Sequence, residues 1–121
     1  MASGLHALII EDEIVVGYDV QRALAELGFE SFAFASTVIQ ALEQAQTRRP
    51  DLLTVDLSLL DGDGMDAAGV IHRSIGPTPT IYVTGQPRSL ARHPHAVVVE
   101  KPFAPHDIAE AYRRVCARMM A

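Results

Sequence analysis

Short runs of branched apolar residues alternate along the chain with longer stretches whose apolar positions recur at helical spacing. Leu5 to Ile10 is the first run, and Ile14 to Leu27, with Val16, Val20, Leu24 and Leu27 on one side, is the first amphipathic stretch. Gly28 stands where a helix C′ residue belongs, and Ser31 to Ala35 follows as a second strand. Thr37 with Gln40 has capping-box spacing and predicts a helix with Val38, Leu42 and Ala45 inward, ended by Arg48-Arg49-Pro50. Asp51 to Asp56 is strand three. Gly62 and Gly64 mark a loop, Met65 to Ile75 is helical, and Thr80 to Val83 is strand four. Gly85, Pro87 and Pro94 leave room only for a helical turn or two over Arg88 to Arg92. Ala96 to Val99 is strand five. Pro105 opens a last helix striped by Ile108, Ala111, Tyr112, Val115 and Met119, with Ala104 as a poor N-cap.

Apolar runs, rather than strict alternation, each followed by a helix, imply a parallel sheet covered on both faces. The 121 residues suit one domain, 1–121, with one core, and 49% hydrophobic against 21% charged residues is an ordinary globular balance. Ten basic against fifteen acidic residues give a net charge of −5, and Lys and Arg cluster no further than Arg48-Arg49 and Arg113-Arg114. Nucleic acid is therefore not expected as a direct partner. Cys116 stands alone, which fits a reducing cytoplasm and excludes a Cys-based zinc cluster; it reads as a small hydrophobe in a helix. No apolar stretch approaches the roughly 20 residues that cross a bilayer, and Met1-Ala2-Ser3-Gly4 leads straight into a strand, so a cytoplasmic protein without a membrane partner is expected. No appended effector domain is expected.

In open α/β sheets ligands sit beyond the carboxyl ends of the strands. There the chain places Glu11-Asp12-Glu13, Asp56, Thr84 and Glu100-Lys101-Pro102-Phe103. Carboxylates at one strand-to-helix junction can simply complement a helix dipole. Several converging at one sheet edge instead call for a divalent cation, and oxygen ligands favour magnesium or manganese.

Ile9-Ile10-Glu11-Asp12-Glu13, Pro50-Asp51-Leu52-Leu53-Thr54-Val55-Asp56-Leu57, Val83-Thr84-Gly85 and Lys101-Pro102-Phe103 occur in the order found in the receiver domains of bacterial two-component response regulators, and the chain resembles that family over essentially its whole length. The resemblance implies a flavodoxin-like (βα)5 fold, a doubly wound parallel five-stranded sheet of order 2-1-3-4-5, here with a shortened fourth helix. It makes Asp56 the phosphoacceptor. Glu11, Asp12, Asp56 and the backbone carbonyl of Ser58 would hold Mg2+, for which Mn2+ can substitute; Asp61 and Asp63 lie outside that set. Lys101 would pair with a phosphoryl oxygen and Thr84 offer a hydroxyl to another, with a cis Lys101–Pro102 bond as in the family. The implied partners are a sensor histidine kinase or histidine phosphotransfer protein as donor and a downstream protein target. The product is a switch rather than a turnover enzyme, carried by a single-domain regulator, a phosphorelay shuttle or a receiver cut from a hybrid kinase; Met1 points to the first.

The chain departs from the family at particular positions. Val98 stands three residues before the lysine, where an aromatic ring is usual, and a valine is no long lever. The segment from Thr84 to Lys101 is short and broken by Pro87 and Pro94, so an altered output face is expected. Glu11 replaces the commoner Asp and lengthens one arm of the metal site. Ser58 and Gln86 stand where water access to the phosphoryl group is shaped. Asp61-Gly62-Asp63-Gly64-Met65-Asp66 does not fit a calcium loop, because His72 falls where a bidentate Glu belongs. His93 and His95 read as solvated. An aspartate-nucleophile phosphatase would show a second Asp where Ser58 stands. A phosphate-independent pseudo-receiver, the remaining alternative, would have lost site residues, and none is lost.

Overall fold

The computed structural model describes residues 4–120, so the reading of Met1-Ala2-Ser3 lies outside the described residues. The branched apolar runs become the strands β1 (Leu5–Ile10), β2 (Phe29–Ala35), β3 (Leu52–Val55), β6 (Thr80–Thr84) and β7 (Val97–Glu100). All pair in parallel in the order β2-β1-β3-β6-β7. This is the expected 2-1-3-4-5 order; the two extra labels belong to a small antiparallel hairpin, β4 (Ser58–Leu59) with β5 (Gly62–Asp63). Two-residue strands carry no periodicity, so this segment reads as loop from sequence.

Alternate residues of each strand serve opposite core layers. Ala7, Ile9 and Leu52 pack with Val20, Leu24, Ile108 and Val115 beneath α1 (Ile14–Glu26) and α4 (Pro105–Met120). Leu8, Ile10, Leu53 and Val55 pack with Ala41, Ala45, Ala68 and Ile71 beneath α2 (Val38–Thr47) and α3 (Gly64–Ile75). Each large aliphatic side chain so buried contributes roughly 1.5–3 kcal/mol. The crossover from β6 to β7 carries only a 3-10 turn, Pro87–Leu90, whose Leu90 is buried in the second layer.

The boundaries move by one or two residues from those expected, for local reasons. Strand β2 begins at Phe29, because Gly28, at φ +102, turns the chain directly after α1. Thr37 caps α2 by accepting from Gln40 N at 3.1 Å, but the Gln40 amide oxygen returns to the N–H and hydroxyl of Ser36 rather than to Thr37. Asp63 caps α3 by accepting from Met65 N at 2.7 Å, and the Asp61 carboxylate accepts from Val38 N at 2.7 Å. Ala104 has no capping side chain, yet its N–H donates to the Asp107 carboxylate at 2.8 Å, so the helix end is satisfied from within. Among the described residues no helix is long and apolar enough to cross a membrane.

Candidate phosphoacceptor site

The carboxyl ends of β1, β3, β6 and β7 bring the polar residues together. Asp56 follows β3, its N–H donates to Ile10 O at 2.9 Å, and the residue is only 6% exposed. Glu11 follows β1 and is fixed by its N–H to Ala35 O at 2.8 Å. Carboxylate oxygens of Glu11, Asp12, Glu13 and Asp56 lie within 4.8 Å of one another. The Lys101 ammonium reaches into this group, 3.0 Å from Glu11 Oε1, 3.5 Å from Asp56 Oδ2 and 3.6 Å from Glu13 Oε1. Its position is set by the sheet edge, where Lys101 N–H donates to Thr84 O at 2.8 Å, and the Lys101–Pro102 bond that follows is cis.

One ammonium cannot neutralise four carboxylates. Burial, reinforced by the neighbouring Asp56, pushes the Glu11 carboxyl up to about 8, although Lys101 and the Glu13 N–H pull the other way. Burial would lower the Lys101 ammonium, but its bond to Glu11 and the charges of Asp56 and Glu13 leave it raised. A set of oxygen donors with this much unbalanced negative charge fits a hard divalent cation.

Thr84 is buried at the end of β6, and its hydroxyl accepts from Gln86 N at 2.9 Å. It lines a small cleft with Leu57, Ser58 and Gln86. Ser58 N–H donates to Asp56 Oδ1 at 3.2 Å, which orients the carboxylate. Thus Glu11, Asp12, Asp56, Ser58, Thr84 and Lys101 all converge. Asp61 and Asp63 are occupied as helix caps, and His93 and His95 are exposed on the loop before β7.

Glu13, placed at the strand end with Glu11 and Asp12 but outside the implied metal set, joins the carboxylate cluster although it is the N-cap of α1. Gly64, legible only as a loop marker, is where α3 presses on the end of β3: a Cβ there would meet the Asp56 carbonyl oxygen and stand 2.8 Å from Val55 Cγ1. A glycine at the first position of a helix is the available signal, since it forgoes helix propensity for close backbone approach.

The fold and this site define a receiver. The pattern of the family described as the response regulator receiver domain matches residues 7–113, and the chain belongs to that family. It is 31% identical over 107 residues to the phyllosphere-induced regulator PhyR of Methylorubrum extorquens, covering 84% of this chain and 40% of that protein. It is 26% identical over 123 residues to the chemotaxis protein CheY of Thermotoga maritima, covering 93% of this chain and 98% of that one. The receiver domain of Erythrobacter litoralis PhyR superposes with a TM-score of 0.84 at 26% identity, covering 93% and 90%. The chain thus spans less than half the length of the Methylorubrum regulator. Its class is that of two-component signalling domains, which bind Mg2+ at an acidic pocket and pair with histidine kinases or phosphotransfer proteins.

Proposed function

We propose that Asp56 accepts a phosphoryl group from a phosphohistidine of a sensor kinase or phosphotransfer protein, and that the acyl phosphate switches contacts with a downstream protein. The carrying observation is Asp56 itself: buried, oriented by the Ser58 N–H, and 3.5 Å from the Lys101 ammonium inside a carboxylate cluster. An Asp56 oxygen forms the new P–O bond as the donor's P–N bond breaks, and the imidazole leaves with the electron pair and takes a proton. Lys101 exchanges a carboxylate for a phosphoryl oxygen. Glu11, Asp12, Asp56 and the Ser58 carbonyl would hold Mg2+, with Glu13 beside them; when bound, the ion neutralises charge on the phosphoryl oxygens.

The Thr84 hydroxyl is the switching group. Its hydrogen is free to donate to a phosphoryl oxygen, and a swing of the hydroxyl toward that oxygen would draw it from the Gln86 N–H it accepts, at the residue that opens the 3-10 turn. With Val98 in place of a ring, the signal then runs through Gln86 to Leu90, seated in the core layer with Tyr82 and Val98. The donor's docking surface is supplied by Ile14, Val15 and Tyr18 on α1 with Phe34 of β2, exposed apolar side chains beside Glu11 and Asp12.

Intact-mass spectrometry after incubation with acetyl phosphate tests this reading. A gain of one phosphoryl group that needs Mg2+ and is lost in Asp56→Asn is expected. No gain under any condition would replace this reading with the pseudo-receiver, for which the short crossover and Val98 argue.

A further inference from the structure

The segment that follows Asp56 is the least self-supporting part of the site. Its strands β4 and β5 hold two residues each and pair only Ser58 with Asp63 and Leu59 with Gly62. A hairpin of that size is marginal in water. Yet it carries Ser58, whose N–H orients the Asp56 carboxylate and whose carbonyl belongs to the proposed Mg2+ set. Its feet are fixed, because Gly64 N–H donates to Leu57 O at 2.9 Å and the Asp63 carboxylate caps α3. Its tip is not fixed by burial: Leu60 is 73% exposed, and Asp61 is exposed beside it.

The tip is held by α2. The Asp61 carboxylate accepts from the N–H of Val38, the first residue of that helix, at 2.7 Å, whereas the neighbouring bond from Leu60 N–H to Ser36 O is long, at 3.4 Å. The hairpin lies flush on the helix start, where a Cβ on Gly62 would stand 3.3 Å from Val38 Cγ2. Thr37 already caps α2 by accepting from Gln40 N, so Asp61 serves a further orphan N–H. A carboxylate on such a donor, at the positive end of a helix, makes a strong tether for a surface loop. The turn that enters α2 also accepts the Glu11 N–H, through Ala35 O. It therefore steadies both chain segments that bring Glu11 and Ser58 to Asp56. We infer that Asp61 is a positioning residue for the phosphoacceptor site: its bond to Val38 N–H sets the hairpin, and through the hairpin the carbonyl and N–H of Ser58. What is positioned rests on the phosphoacceptor reading; the tether itself is measurable without phosphate.

Three variants of the full chain separate a tether from a charge and from plain stability: Asp61→Ala, Asp61→Asn, and Ala45→Gly, buried near the far end of α2. Each is measured for Mn2+ affinity by paramagnetic titration, for the rate of acetyl phosphate labelling, and for hydrogen exchange of the peptide spanning residues 57–64. Asp61→Ala is expected to lower Mn2+ affinity and labelling rate about tenfold and to speed exchange of that peptide. Asp61→Asn, whose amide oxygen still accepts from Val38 N–H, is expected to stay within about twofold of the parent. Ala45→Gly is expected to lower the thermal midpoint by a few degrees with all three readouts at parent values. The inference is overturned by Asp61→Ala behaving like the parent, by Asp61→Asn falling as far as Asp61→Ala, by Ala45→Gly losing as much Mn2+ affinity, or by a parent that does not bind Mn2+ saturably. A parent that binds Mn2+ but is never labelled overturns the Asp56 reading alone, because Mn2+ affinity and exchange still decide the tether.

Discussion

At Asp56 the requirements of chemistry and of stability oppose each other. Four carboxylates around one ammonium repel, and the Glu11 carboxyl is pushed up to about 8 first by burial and then by its neighbour Asp56. Asp56→Asn is therefore expected to abolish phosphoryl transfer while raising the urea midpoint of the metal-free protein, by the equivalent of about 1 kcal/mol. A midpoint below the parent's would contradict the electrostatic account. Gly64→Ala is expected to do the reverse of a good helix substitution: the added Cβ meets the Asp56 carbonyl, and the strain should destabilise by about 1–3 kcal/mol and slow labelling of Asp56. That these polar residues converge was legible in the sequence, because the carboxyl ends of neighbouring parallel strands meet at one sheet edge. The close approach at Gly64 was not, because it arises between two elements distant in the local pattern.

At the level of elements, the strands were legible to within two residues, since apolar runs in a parallel sheet are buried on both faces. What pattern could not supply was the wiring between elements. Asp107 serving the Ala104 N–H and Gln40 serving Ser36 depend on loop geometry, as does the hairpin β4–β5. Asp107→Ala is expected to destabilise α4 by about 1 kcal/mol, seen as a lower thermal midpoint with labelling intact. The short β6–β7 crossover was legible from Pro87 and Pro94, but Leu90 filling the layer beneath it was not. Leu90→Ala should destabilise by about 2–5 kcal/mol and, if the signal runs through this turn, should leave Asp56 labelling intact while abolishing any phosphorylation-dependent change in tryptic cleavage at Arg88 and Arg92. A phosphorylation-dependent cleavage pattern like the parent's would place the coupling elsewhere.

Over the whole molecule the sheet separates two poles. Acidic chemistry gathers at the carboxyl ends of the strands, while the amino ends hold His6, which is 5% exposed, with Nδ1 2.7 Å from the Ser31 hydroxyl and its N–H donating to Asp51 at 2.8 Å. Burial, then the charge of Arg48, lowers the His6 pKa despite Asp51 and Ser31. Below about pH 6.5 the unfolded chain takes up a proton that the folded one resists, so stability carried by neutral His6 is full above that pH and is lost as pH falls toward the lowered value. The difference in urea midpoint between parent and His6→Gln should therefore shrink as pH falls from 7.5 to 5.5, both figures being chosen to bracket a histidine at roughly 6.5. A constant difference would remove His6 from the acid response. Mg2+, proposed to bind at the other pole, should raise the thermal midpoint in a concentration-dependent way that Glu11→Gln abolishes.

One carboxylate, Asp56, is proposed to carry the phosphoryl group. Borohydride reduction of the acetyl-phosphate-treated protein converts an acyl phosphate on aspartate to homoserine, and peptide mapping then locates it. Homoserine is expected at position 56 alone, formed only with Mg2+ present. Homoserine at Asp12, Asp61 or Asp63, or none at all, would contradict it.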